Sequence, residues 1–250
     1  MDGFDRADSI FSSRVDEILG NLRVREAHSF FVRNQGELFK RDGMRGDLKT
    51  DLGRALNLKD ASEQVLYRGL MLQLYAAFER LVTDLAEGVL QVVQLKARRY
   101  NDVDEGLRNA HTVGSARLLS KMHERTINGV PFDFARLQKD MAACFSNADR
   151  YRLSVDAITA LLGVCTAERV DTVFETLKLG KAFDDVLGRD RAIRAWASNA
   201  GAREASHRAR DQLNAIVRLR NQIAHGAGDP QVINTQVKET AEFLLASAGL

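Results

Sequence analysis

Proline occurs twice in 250 residues, at Pro131 and Pro230. The ring that removes a backbone donor and breaks helices is therefore almost missing, and long helices can run uninterrupted. Tryptophan occurs once and tyrosine four times, and β-branched runs are scarce. That leaves little of the material from which sheets are built. The two cysteines, Cys144 and Cys165, lie far apart and in no ligand-type spacing, which argues against a disulfide framework and a zinc site. They read as two buried thiols of a reducing compartment. No apolar run approaches the ~18 residues needed to span a bilayer. The opening MDGFDRADSIFSSR is charged from its second residue and has no apolar signal region. An excess of one charge is missing too: the net charge is +2, so any basic surface must be local. The expectation is an all-α, cytoplasmic protein with no membrane partner.

Signature sequences of common chemistry are also absent. GxGxxG, GxxxxGK and GxSxG do not occur, which removes the usual nucleotide-binding and acyl-transfer signals. His28, His111, His123 and His207 show no HExxH spacing, so no metal and no cofactor are expected.

What is present is helical periodicity. From about Ser9, the residues Ile10, Val15, Ile18, Leu19 and Leu22 recur at helical spacing. Phe30, Phe31, Leu38 and Phe39 extend the pattern after a possible break, and residues 41–50 read as a connection. The strongest signal is 62–97, where Leu66, Leu70, Leu74, Phe78, Leu81, Leu85 and Val92 form a stripe flanked by Tyr67, Val82 and Val89. A stripe that wide marks a central helix with several neighbours. A helix is expected over 113–124, a turn at 128–132, and helix again from about Asp133. Further helices are expected within 152–165, over 166–188, 203–225 and about 231–246, with a turn at SNAG (198–201). Residues 1–60 are read as an N-terminal helical extension packed on a main domain spanning 61–250.

The stretch RLRNQIAHG (218–226) stands out. Leu213, Ile216 and Val217 upstream and Ile223 and Ala224 downstream define an apolar stripe. At about 100° per residue, Arg220 falls in the middle of it. A buried guanidinium keeps its proton and needs an anion or a bound phosphate. Alternatively its stem packs while its head reaches water. Both readings stay open. Glu79, at the edge of the central helix's apolar arc, is the candidate anion, or else a solvated flank residue. His225 lies about 140° from Arg220 on an ideal helix, whereas Asn221 and Arg218 share its face. It is either a site residue or a C-capping histidine. Arg189, Arg191, Arg194, Arg203, Arg208 and Arg210, with Lys96, Arg98 and Arg99, form either a phosphate-tracking surface or a solvated helix face.

Arg220 and Asn221, then three residues, then His225 and Gly226, resemble the R-x4-6-H motif of the HEPN superfamily. An Asn after the Arg and a Gly after the His often accompany that motif. The setting is similar too: the motif closes a long helix, another helix follows, and an upstream apolar helix carries an acidic residue in YAAFE (75–79). The arrangement most resembles stand-alone bacterial members of the RiboL-PSP and MAE_28990-like types, which accompany defence and toxin–antitoxin loci. It covers about residues 60–250.

The resemblance implies an antiparallel helical bundle of HEPN type with additional helices. It implies a metal-independent endoribonuclease in which the RNA 2′-hydroxyl attacks the phosphate, leaving a 2′,3′-cyclic phosphate. Two protomers would pair as a homodimer with a composite active site. His225 would be the general acid or base, Arg220 would stabilise the phosphoryl charge, Asn221 would orient the phosphate or the histidine, and Glu79 would hold Arg220. If Arg220 is structural, Arg218 is the phosphate contact. Expected partners are RNA, a second copy, and an antitoxin or regulatory protein. The rival reading is a non-catalytic helical module that binds RNA or a protein partner.

Overall fold

A computed structural model describes residues 2–39, 59–127, 130–159, 163–226 and 230–249. The protein is all-α, with one two-stranded hairpin among the described residues. Helix α1 spans Asp2–Phe39 and buries Ala7, Phe11, Val15, Ile18 and Leu22, which recur every three or four residues. It continues past Leu22 without the break that the spacing of apolar residues suggested. The 41–50 connection lies outside the described residues. Helix α2 spans Lys59–Lys96 and is the axis of the molecule. Leu70, Leu74, Phe78, Leu81 and Leu85 are buried along one line, with Met71, Tyr75, Val82 and Ala86 buried beside it. Both helices contribute to one core, and an Arg25–Glu63 ion pair of 3.5 Å also ties them.

Helix α3 spans Glu105–Leu119 and so begins and ends earlier than expected. Asp104 starts it by accepting the Leu107 N–H at 3.1 Å. Its buried line is Leu107, His111, Gly114, Ser115 and Leu118, and a stripe made of His, Gly and Ser gives no apolar period. A hairpin pairs β1 (Thr126–Ile127) with β2 (Val130–Pro131), where a turn was read. Helix α4 spans Phe134–Phe145 and is capped by Asp133; the short α5 spans Val155–Thr159.

The helix expected over 166–188 is divided. Helix α6 spans Ala167–Thr176, after which Lys178 and Gly180 take φ of 63° and 80°. A π-turn at Ala182–Val186 and a 3-10 turn at Leu187–Arg189 follow. Two aspartates favour this route over a continuous helix. Asp171 accepts the Phe183 N–H at 3.1 Å, and Asp185 accepts the Lys181 N–H at 2.8 Å. Helix α7 spans Arg191–Trp196, and the turn at Ser198 and Asn199 leads into α8, Ala202–His225. Helix α9 spans Asn234–Ala246. The main core joins α1, α2, α6, α8 and α9, while Leu118, Leu137, Met141 and Ala157 form a smaller one between α3, α4 and α5. Among the described residues, no helix is long and apolar enough to cross a membrane.

Candidate functional site

The site is built where α8 ends. Ala209, Leu213, Ile216 and Val217 are buried along its inner face, and the next turn on that side presents Arg220, half-buried. Gly226 stops the helix in the left-handed region, φ 64°, with its N–H directed to the Gln222 and Ile223 carbonyls. The returning chain is then fastened to α2. Gln64 exchanges two 3.0 Å hydrogen bonds with the Val232 backbone, and Arg68 Nε donates to the Pro230 carbonyl at 3.0 Å. The segment that follows the motif is thus held by the central helix. His225 is the last helical residue; it is exposed, and its ring has no partner among the described residues.

Arg220 meets α2 through Tyr75. Its guanidinium carbon lies 5.3 Å from the centroid of the Tyr75 ring, and its Nη1 donates to Asn221 Oδ1 at 3.1 Å. Tyr75 is 2% exposed, and its hydroxyl accepts the Cys165 N–H at 2.9 Å. The phenol stays neutral: burial, and then the neighbouring Glu79 carboxylate, push its titration far up. Glu79 is half-buried. Burial raises its pKa above the ordinary value, opposed by the Tyr75 hydroxyl and the Arg220 charge. Arg220 and Glu79 form no direct ion pair; Tyr75 is the residue in contact with the guanidinium and next to the carboxylate. Burial also pushes the adjacent Cys165 thiol up to about 12, so it is not a nucleophile at neutral pH.

The structure brings Arg220, Asn221 and Glu79 together around Tyr75. His225 and Arg218 are placed elsewhere: both are exposed, on the side of α8 turned away from Tyr75. Arg218 and Gln222 line a cleft between α8 and α9. Several of the basic residues considered as a phosphate-tracking surface are neutralised internally. Arg210 pairs with Asp171 at 2.6 Å and Asp184 at 3.0 Å, Arg208 with Glu204 at 2.8 Å, and Arg99 with Asp149 at 3.1 Å. Tyr75, Gln64 and Arg68 are contributors that the sequence reading passed over. The available signal was weak: Tyr75 is one turn before Glu79, and Gln64 and Arg68 are four apart on one face.

The all-α frame, with the end of α8 meeting the central helix at Tyr75, fits a HEPN helical fold. The chain matches the family model of the MAE_28990-like HEPN proteins over residues 47–244, and it belongs to that family. Members of this superfamily are generally associated with RNase action, and HEPN domains often bind RNA and dimerise. Neither the curated proteins nor the solved structures gave a match.

Proposed function

We propose that the protein is a metal-independent endoribonuclease whose catalytic residues are Arg220, Asn221 and His225. The observation that carries this reading is the contrast within one helix end. His225 is exposed and unpaired among the described residues, while Arg220, five residues earlier, is held by the Tyr75 ring and Asn221. An exposed imidazole can give or take a proton at its ring nitrogens, and a pre-positioned guanidinium can meet charge as it develops.

In the proposed reaction the RNA 2′-oxygen attacks the adjacent phosphorus. A histidine takes the 2′-hydroxyl proton, the bond from phosphorus to the 5′-oxygen breaks, and a second acid gives that oxygen a proton. The products are a 2′,3′-cyclic phosphate and a free 5′-hydroxyl. Two proton-transfer groups are needed and each chain offers one His225, so a homodimer with a composite site accounts for both. Arg220 neutralises the phosphoryl oxygens, Asn221 orients the guanidinium toward them, and Glu79 with Tyr75 sets its position. The same proposal treats residues 61–250 as the nuclease domain and 1–60 as an extension packed on it. It places the protein in the cytoplasm of a bacterium, as a toxin or antiviral effector controlled by a partner protein.

The test induces wild type, Arg220→Ala and His225→Ala in cells, following growth and RNA integrity. Lysates treated with EDTA are assayed for fragments ending in a cyclic phosphate. Growth arrest and EDTA-resistant cutting by wild type, lost in a folded His225→Ala protein, support the proposal. Equal behaviour of wild type and that variant removes it, and the non-catalytic module takes its place.

A further inference from the structure

The cleft between α8 and α9 encloses about 330 Å³, at the small end of ligand sites and too small for a duplex. It lies along the face of α8 that leads to His225: Arg218 is seven and Gln222 three residues before it, so Gln222 sits ~4.5 Å up the helix axis. Met71 and Ile216, both buried in the core, give it an apolar floor.

Its walls are polar and unused. Arg218, Glu239, Gln212 and Gln222 line it, and none of these side chains has a hydrogen-bond or ion-pair partner among the described residues. Arg218 and Glu239 share the cleft as opposite charges yet are not joined. Thr240 is 3% exposed, lines the same cleft, and its hydroxyl likewise has no partner among the described residues. Gln236 spends its oxygen on the Ile233 N–H at 3.0 Å, leaving its amide hydrogens over. Arg218, Gln222 and Glu239 are exposed, so their side chains are free to turn toward a ligand, while half-buried Gln212 and buried Thr240 add polar groups beside the apolar floor.

The charge pattern selects the ligand. Phosphate is disfavoured because the Glu239 carboxylate would repel it. A neutral ring with donors on one edge and acceptors on another fits a facing carboxylate and guanidinium. Among RNA bases guanine has that layout: N1–H and N2–H suit a carboxylate, and O6 and N7 suit an arginine. Unstacked single-stranded bases are read in this way. We infer that this cleft binds a guanine base of single-stranded RNA beside the cleaved phosphate, with Glu239 and Arg218 reading its two edges and Gln222 positioning its ribose. This rests on the RNA-cleaving reading above and assigns Arg218 to a base instead of the phosphate.

The test uses full-length His225→Ala protein, which removes cutting from the measurement. Its affinity is measured by fluorescence anisotropy for oligouridylate strands carrying one central G, A or C. The expected result is about tenfold or tighter binding of the guanosine strand, reduced to within about twofold by adding Glu239→Gln. Glu239 is exposed, so this variant keeps its fold, and thermal unfolding checks that. Equal affinity for all strands overturns the inference, as does a guanosine preference that survives Glu239→Gln. Cleavage by wild type is scored in parallel. Preference without cutting removes the nuclease reading and keeps the cleft; cutting without preference does the reverse.

Discussion

The guanidinium of Arg220 rests on the face of Tyr75, 5.3 Å from the ring centroid, while the hydroxyl at the far end of that ring accepts the Cys165 N–H. One buried side chain thus links the motif helix, the central helix and the segment before α6. The face and the hydroxyl have separable roles. In Tyr75→Phe the face survives and the Cys165 N–H loses its acceptor, so stability falls by about 1–3 kcal/mol, while the cleavage proposed above is retained by the folded protein. In Tyr75→Leu the cation loses its ring, and the proposed cleavage falls about tenfold or more beyond any stability effect. Urea unfolding and single-turnover rates on one RNA separate the two. Matching rates in the two variants would show that the ring does not position Arg220.

Glu79 makes a pH-dependent contribution whose sign follows from its environment. Burial is the largest cause and raises its folded-state pKa above the ordinary glutamate value. Between the unfolded and folded values the native state holds more protons, so stability from this group is present at low pH and is lost as pH rises through the folded value. Glu79→Gln removes the ionisation. Relative to wild type the variant therefore gains stability from acidic toward neutral pH, read as a growing difference in urea midpoint. A constant difference from pH 4 to 7 would mean that Arg220 and Tyr75 cancel the burial cost.

The residues of this site were unequally legible in the sequence. Arg220 is visible because a charge in an apolar stripe conflicts with helical periodicity, and Gly226 because a helix stop needs a residue at ease with positive φ. Tyr75 is hidden: a large ring inside an apolar arc is what a core helix shows anyway, and its contact with residue 220 is long-range. Charge alone points to an anion as the partner for Arg220, whereas the structure supplies a ring, with Glu79 one step behind it. Long apolar helices were legible for the same reason that the first half of α3 and the region after Thr176 were not. In α3 the buried stripe between Leu107 and Leu118 is His, Gly and Ser, and beyond Thr176 side-chain carboxylates redirect the backbone.

Gly114 shows what that hidden stripe is for. A methyl group built there would lie 1.8 Å from the Ala157 carbonyl oxygen, because α3 and α5 cross with backbones almost in contact. Elsewhere in a helix alanine is favoured over glycine by about 1 kcal/mol. Here Gly114→Ala must push two backbones apart, at a cost of at least 1–3 kcal/mol by comparison with ordinary overpacking. Thermal unfolding checks this, with Gly69→Ala, which meets nothing within 4 Å, as the control. An unchanged midpoint for Gly114→Ala would rule out this close crossing.

His111, beside that crossing, is fully buried and has both ring nitrogens engaged. Nε2 accepts the Ser154 N–H at 3.0 Å, which places the ring proton on Nδ1, 3.3 Å from the Tyr100 hydroxyl. A second proton would have to displace the Ser154 bond and charge a ring shut off from water, and burial lowers the pKa to about 4. The unfolded chain takes up that proton first, near the ordinary histidine value. Stability from His111 is therefore full above about pH 6.5 and falls by about 1.4 kcal/mol per pH unit as pH drops toward 4. His111→Gln loses packing and the two hydrogen bonds, so it is less stable at pH 7, yet it lacks this slope. The gap between wild type and variant should shrink on acidification, followed by urea unfolding at pH 7, 6 and 5. A gap that stays constant would mean His111 is protonated in the folded protein, and that the Ser154 bond is not made as described.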